Sequence, residues 1–481
     1  MSTELPSESP NDFEPPTRKG NSLIIWLMII AAVSFIVYMQ TQRTEDRAKK
    51  KQIASHSKLI DFQNKILMGF FGITERDERA LDQLKSSAED PFPQQINSVI
   101  VINELGDARR ALREIERIEN RLEEKEKKPE LAEVLPILKK LYQDVDAGEH
   151  ALPSVSKEDR EKLKKKLGWM GELALHPSTT PDVERRAELL TEAESAFTLA
   201  IGGLLGGICT CGLGLIGLIV LIVFLASGRA PFRLDPRPTR GAIYAETFLI
   251  WLVLFWGLQM LLTLDFIGNL PVSRMLLSCL ASLLSLLALL WPVQRGIPWE
   301  EAKHEIGLHT GQHPAYEALC GIATWAMCLP LLFVGALILW VILQFQQMVG
   351  GGGVGGSGPA PHPIFEEVAR TDGWGILQIL FMASVMAPLV EETMFRGVLH
   401  RNLREMSRRS HMFVTFTFSA LVNGVIFAIV HPQGMLGVPL LASLAVGFSL
   451  AREWRGSLIA CMVAHGLHNG LVLLFVSAML R

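Results

Sequence analysis

Cysteine is scarce in this chain of 481 residues. The six present (Cys209, Cys211, Cys279, Cys320, Cys328 and Cys461) all lie in or beside apolar runs, and the charged stretch between residues 41 and 196 has none. A disulfide framework and a Cys-x-x-Cys zinc site are therefore excluded; small apolar packing is the ordinary use of such thiols. Also missing is the His-Glu-x-x-His helix that sets two zinc ligands on one face. The nearest approach, His304-Glu-Ile-Gly-Leu-His309, has a five-residue step that turns its imidazoles off a common face. An excess of one charge is lacking as well. A net charge of -3 gives no reason to propose nucleic acid as a partner.

Long apolar runs are what the chain does have. Residues 1–21 are rich in Pro and acid and read as a disordered tail. Residues 22–40 follow as an apolar segment with no small-residue cleavage site after it, which reads as a retained transmembrane anchor. From 41 to 196 Lys, Arg, Asp and Glu crowd together. Ala108, Leu112, Ile115 and Leu122 recur there at helical spacing, so this is expected to be a soluble α-helical domain. Nothing in it suggests chemistry, and a protein partner is its expected use. Pro181 with Asp182 and Glu184 marks a helix start, and that helix is expected to continue through Ala193 into the membrane.

Eight further apolar runs cover roughly 197–226, 243–264, 273–291, 318–345, 374–390, 411–431, 436–451 and 457–480, each near the ~20 residues that cross a bilayer. Gly202, Gly206, Gly203 and Gly207 have the small-xxx-small spacing of a close helix contact. A Gly/Pro-rich loop at 350–363 divides a scaffold half (197–349) from a motif-bearing half (364–481). The expected fold is all-α: a polytopic helical membrane protein of about nine transmembrane helices, the last eight forming the bundle, with an inserted soluble helical domain. Arginines in alternate loops (Arg229, Arg233, Arg237, Arg240; Arg295; Arg401, Arg404, Arg408, Arg409; Arg452, Arg455) put the N-terminus on the cytoplasmic side of a membrane such as the bacterial inner membrane.

Three polar elements interrupt the last spans. Glu391 and Glu392 follow the run that ends at Val390, with Arg396 one turn on. At i,i+4 Glu392 and Arg396 share a helix face and can pair, which leaves Glu391 pointing elsewhere. Two adjacent carboxylates beside hydrocarbon mark a site or, more plainly, the point where a helix meets headgroups. His431, four residues after Phe427, ends its run beside Pro432. His465 and Asn469 are four apart inside the final run, where each polar group needs a partner; His468 is a lower-ranked alternative to His465. On straight helices Glu391 falls at the inner end of its span and His431 at the outer end of the next. They are expected to meet only if Pro388 and Gly434 break those helices.

Taken together, Glu391-Glu392-x-x-x-Arg396, Phe427-x-x-x-His431 and His465-x-x-x-Asn469 resemble the CPBP family, which takes in the type II CAAX prenyl proteases and the bacterial bacteriocin-processing and abortive-infection (Abi) proteins. The resemblance spans roughly 370–480, with every motif position matched. It implies an intramembrane endopeptidase acting on a membrane-embedded or lipid-anchored peptide. Glu391 and His431 would activate a water, His465 and Asn469 would stabilise the oxyanion, and Glu392, Arg396 and Phe427 would support the site. No cofactor is expected; the older reading of the family would place a divalent metal on Glu391, His431 and His465. A catalytically silent scaffold or immunity protein, or a proton- or ion-coupled transporter, are the competing classes.

Overall fold

The computed structural model describes residues 22–49, 54–73, 92–123, 129–149, 152–262, 264, 273–348, 363–371, 373–408 and 411–480. The tail at 1–21 and nearly all of the loop at 350–363 lie outside the described residues. The described residues contain helices and no strands, so the all-α reading holds. Nine of their helices are long and apolar enough to cross a membrane. They are α1 (Ser22–Lys49), α2 (Val183–Ala226), α3 (Ile243–Leu261), α4 (Arg274–Gln294), α5 (Pro314–Met348), α6 (Trp374–Ser407), α7 (Met412–Ile429), α8 (Val438–Arg455) and α9 (Ile459–Met479). The chain is a multi-pass membrane protein.

It divides into two compact units, one of residues 1–51 with 209–475 and the other of 52–208 with 476–481. The second unit is built from amphipathic helices around Ile96, Val99, Ile100, Ile115, Leu138, Leu141, Tyr142, Leu163, Met170, Leu173 and Leu189. In the helix Ala108–Glu123 the buried line is Ala111, Ile115, Ile118 and Leu122. Residues 111 and 118 thus join the stripe read from the sequence, and Leu112 packs at its edge. The long helix α2 starts at Val183, one residue later than Asp182, whose carboxylate accepts the Arg185 N–H (3.1 Å) as an N-cap. It then runs unbroken for 44 residues into its apolar half, as its sequence suggested.

The first unit holds residues from both sides of the 350–363 stretch. Here α1, read from the sequence as a transmembrane anchor outside the eight-helix bundle, packs into the unit's core. Its Ile29 and Ile36 are buried in one core with Tyr244, Phe248, Phe395, Val398 and Phe427. Gly202, Gly206 and Gly207 of α2 are also unlike the expectation, since a Cβ on any of them would meet nothing within 4 Å. The close helix approach falls further along, at Gly214 against the Ala326 backbone of α5.

Helix α6 is the largest departure. The apolar run ends at Val390, but the helix continues to Ser407 because its charged half is buried in protein. Arg396, His400 and Arg401 are 0% exposed, and each finds a partner, as buried charges must. Arg401 pairs with Glu305 (2.7 Å) and Glu405 (3.3 Å), while Glu453 takes both His400 (2.9 Å) and Arg404 (2.6 Å). Pro388 does not break the helix either. Backbone bonding widens to a π pattern at Met382–Met386 and again at Thr393–Leu399. The Ala387 N–H reaches back to Met382, so the turn ahead of the proline is already loosened and its missing N–H and bulky ring are accommodated.

Glu453 is the shared partner of the buried Arg404 guanidinium and the His400 ring, so Glu453→Ala, which leaves the Arg404 charge without its carboxylate, is expected to lower stability by about 3–5 kcal/mol. Thermal unfolding of the detergent-solubilised protein checks this. Glu300→Ala, which removes a surface pair with Lys303, should shift the same midpoint very little.

Candidate active site

The continuity of α6 is what brings the polar elements together. Helices α6 and α7 are consecutive and pack against each other, α6 ending at Ser407 and α7 beginning at Met412. Glu391 lies about 16 residues before the end of α6 and His431 about 19 after the start of α7, so at ~1.5 Å per residue their heights differ by only about 5 Å. The breaks anticipated at Pro388 and Gly434 are not what levels them. Gly434 instead takes a positive φ of 72°, which lets the chain leave the end of α7 and re-enter as α8 within a few residues.

At the resulting junction Glu391 Oε2 stands 3.6 Å from His431 Nε2 and 3.9 Å from His465 Nε2. Each imidazole is oriented from its other nitrogen. His431 Nδ1 is 2.5 Å from the carbonyl of Phe427 one turn back, and His465 Nδ1 is 2.7 Å from Glu392 Oε1. Those partners accept, so each Nδ1 carries a proton and each Nε2 is the atom presented to Glu391. Three polar atoms from α6, α9 and the end of α7 thus face one another. Among the described residues Glu391 Oε2 has no hydrogen-bond partner.

Glu392 is 0% exposed and binds two cationic or proton-bearing groups through one oxygen: Arg396 Nη1 at 3.0 Å and His465 Nδ1 at 2.7 Å. The i,i+4 pair expected from the sequence is formed. The Arg396 guanidinium lies between the rings of Phe427 (4.5 Å to the centroid) and Phe448 (5.2 Å), a cation–π sandwich that suits its poorly hydrated position. Phe427 also packs on the His431 ring at 4.2 Å, and Phe448 stacks on His465 at 5.2 Å with planes 20° apart.

Asn469 is placed differently. Its amide donates to the Ala383 carbonyl at 2.8 Å, inside the π turn where regular helical bonding is loosened. One N–H of that amide is thereby committed to α6, and its second N–H is the one free to serve another group. Next to this contact the Ser384 carbonyl rests on Gly466, where a Cβ would collide with it. His465 approaches both acids, Glu391 at 3.9 Å and Glu392 at 2.7 Å, and so stays ahead of His468 as the histidine of this cluster. The rings of His304 and His309 stack at 4.9 Å because the helix ends at Ile306 and Gly307 turns the chain at φ 85°. They contribute nothing to the Glu391 cluster. Among the described residues no group of three His, Cys, Asp or Glu side chains is disposed to hold a metal ion.

Phe448 and the Ala383 carbonyl belong to this site and went unread in the sequence. A phenylalanine inside an apolar run carries no mark of its neighbours, and a backbone acceptor becomes visible only once the π turn is known. Comparison with known proteins covers the same ground as the motifs. Residues 373–471 match the family described as Type II CAAX prenyl endopeptidase Rce1-like. The resemblance read from the three motifs therefore holds over that segment. The membrane-embedded CAAX protease MroQ of Staphylococcus aureus (strain USA300) is 32% identical over 96 residues, which is 20% of this chain and 38% of that protein. The chain thus spans well under half the length of that relative. No solved structure matches it.

The Gly466–Ser384 approach makes a local prediction. Gly466→Ala should force α9 away from α6, strain the Asn469–Ala383 bond and cost about 1–3 kcal/mol. Thermal unfolding reads this, and Gly257→Ala, where a Cβ would meet nothing within 4 Å, should cost nothing.

Proposed function

We propose that the chain is an intramembrane endopeptidase that hydrolyses peptide bonds of membrane-embedded or lipid-anchored substrates. The observation that carries this is the approach of Glu391 Oε2 to both imidazole Nε2 atoms within 4 Å. A carboxylate flanked by two oriented imidazoles is suited to hold a water molecule and take a proton from it. The similarity of residues 373–471 to an endopeptidase family supports the same chemistry.

In this reading a water between Glu391 and His431 loses a proton to Glu391 as its oxygen attacks the scissile carbonyl carbon. His465 faces the developing oxyanion. It donates from Nε2 only as imidazolium, because Nδ1–H is already given to Glu392, and the Glu392 carboxylate supplies the counter-charge. The second N–H of Asn469 is the other donor, and such preorganised donors are worth roughly 3–4 kcal/mol each. The proton then passes to the departing nitrogen, the C–N bond breaks, and a carboxylic acid and an amine are released. Arg396 holds the Glu392 carboxylate in place. This reading routes no step through a metal; a divalent ion on Glu391, His431 and His465 is the competing assignment. The arginine-rich alternate loops support a cytoplasmic N-terminus.

Glu391→Gln should abolish cleavage of a membrane-anchored reporter peptide, by ~10³-fold or more in kcat, at unchanged expression and melting temperature. Retained cleavage would dismiss the reading in favour of a silent scaffold; proteolysis absent from the wild type, with ion flux lost in the variant, would favour a transporter. Separately, activity should survive treatment with a strong divalent-metal chelator. Loss on chelation with recovery on adding zinc would instead assign a metal to the three residues.

A further inference from the structure

The end of α7 is held by a residue far outside the segment that matches the endopeptidase family. After Ile429 the helix stops, and its last carbonyls have no helical N–H to accept. His431 itself takes two of them: its ring Nδ1 meets the Phe427 carbonyl, and its backbone N–H donates to Ala428 at 3.3 Å. The Val430 carbonyl is taken by Gln40 Nε2 of α1 at 2.7 Å. That carbonyl belongs to the same peptide plane as the His431 N–H. The plane is therefore tied at one edge to its own helix and at the other to α1, and the Cα from which the imidazole projects is fixed between them.

We infer that Gln40 is a positioning residue for His431, making α1 a working part of the site. This rests on the endopeptidase reading above. The helix that presents Gln40 is itself located by packing, since Ile29 and Ile36 are buried in the same core as Phe427 and Phe395. A span needing only to anchor the chain has no use for an amide directed at a catalytic helix; in an apolar surrounding such a group is retained for the partner it satisfies. The bland alternative is a glutamine that merely ends a membrane span near its headgroups, and it predicts no link to His431.

The test uses the full chain in liposomes with a membrane-anchored reporter peptide. Gln40→Leu removes the donor, Gln40→Asn shortens its reach and Gln40→His restores a ring N–H at similar reach. Phe35→Ala, on an exposed side of α1, is the control. Losing the donor should lower kcat about tenfold, the scale of a small misplacement of a catalytic group, with KM within about twofold. Gln40→His should recover most of the loss, and Phe35→Ala should change nothing. A second readout needs no proteolysis: the rate at which diethyl pyrocarbonate modifies His431, followed by peptide mass, should change in Gln40→Leu and return in Gln40→His. Wild-type kcat together with wild-type His431 labelling in Gln40→Leu overturns the inference. So does an equal loss in Gln40→Leu and Phe35→Ala with a lowered melting temperature, which would make the contact ordinary packing. Should Glu391→Gln also cleave normally, the endopeptidase reading fails on its own account, and His431 labelling still decides the role of Gln40.

Discussion

One carboxylate oxygen of Glu392 holds a guanidinium and an imidazole at once, in a place from which water is excluded. An isolated charge there would be severely penalised, so acid, Arg396 and His465 have to be placed as a set. The set links α6 to α9. It also fixes which nitrogen of His465 turns toward Glu391, a role that charge alone could not fill. Arg396 can remain at this depth because its uncommitted faces lie on Phe427 and Phe448, and those same rings pack on His431 and His465. The acid pair thus divides its labour by geometry: Glu392 is spent on structure, and Glu391, one residue earlier and turned about 100°, is left facing the two imidazoles.

The backbone of α6 is under the same constraint. A proline inside a membrane helix frees carbonyls that must be satisfied from elsewhere. Here two π segments keep the helix continuous, and Asn469 reaches across to one of the loosened carbonyls at Ala383. The amide therefore belongs to the architecture as well as to any chemistry. Gly466 sits beside it because only a residue without a side chain lets α9 come close enough for that bond. Proline, asparagine and glycine are in this way one device, spread over two helices.

The parts of this that were legible in sequence are those set by local spacing. Glu392 and Arg396 pair because i,i+4 neighbours on a helix do, and Phe427 meets His431 for the same reason. The long apolar runs announced the class of fold, and the line through Ile115 and Leu122 announced the second unit's helices. What could not be read was the extent of α6. Hydropathy ends the span at Val390 because it counts Glu391, Arg396, His400 and Arg401 as solvent-facing, whereas Arg396 pairs with Glu392, and Arg401 and His400 pair with Glu305 and Glu453, which are far away in sequence. The same blindness touches the loop arginines used to orient the chain. Arg240, Arg295, Arg401, Arg404, Arg452 and Arg455 are engaged in ion pairs or hydrogen bonds inside the protein. π turns leave no signature in residue types, so the levelling of Glu391 with His431 was invisible too.

These long-range partners bear on what the matched segment is by itself. Residues 373–471 supply the acids, both imidazoles and the asparagine, yet they do not close their own core. Phe395, next to Arg396, packs edge-on against Phe248 and Trp251 of α3. Gly447, next to Phe448, is pressed against Cys328 of α5, and Glu305, which neutralises Arg401, lies in the short helix Trp299–Ile306 between α4 and α5. A cluster of buried charges tolerates little displacement, since each partner lost leaves a charge uncompensated. It follows that the helices ahead of the motifs are not interchangeable ballast: their side chains set the heights and rotations at which the motif residues meet. Similarity confined to the motif-bearing helices is therefore compatible with a site whose geometry is tuned from outside them, and α1, α3 and α5 are where a chain of this kind can adjust that geometry without altering a single motif residue.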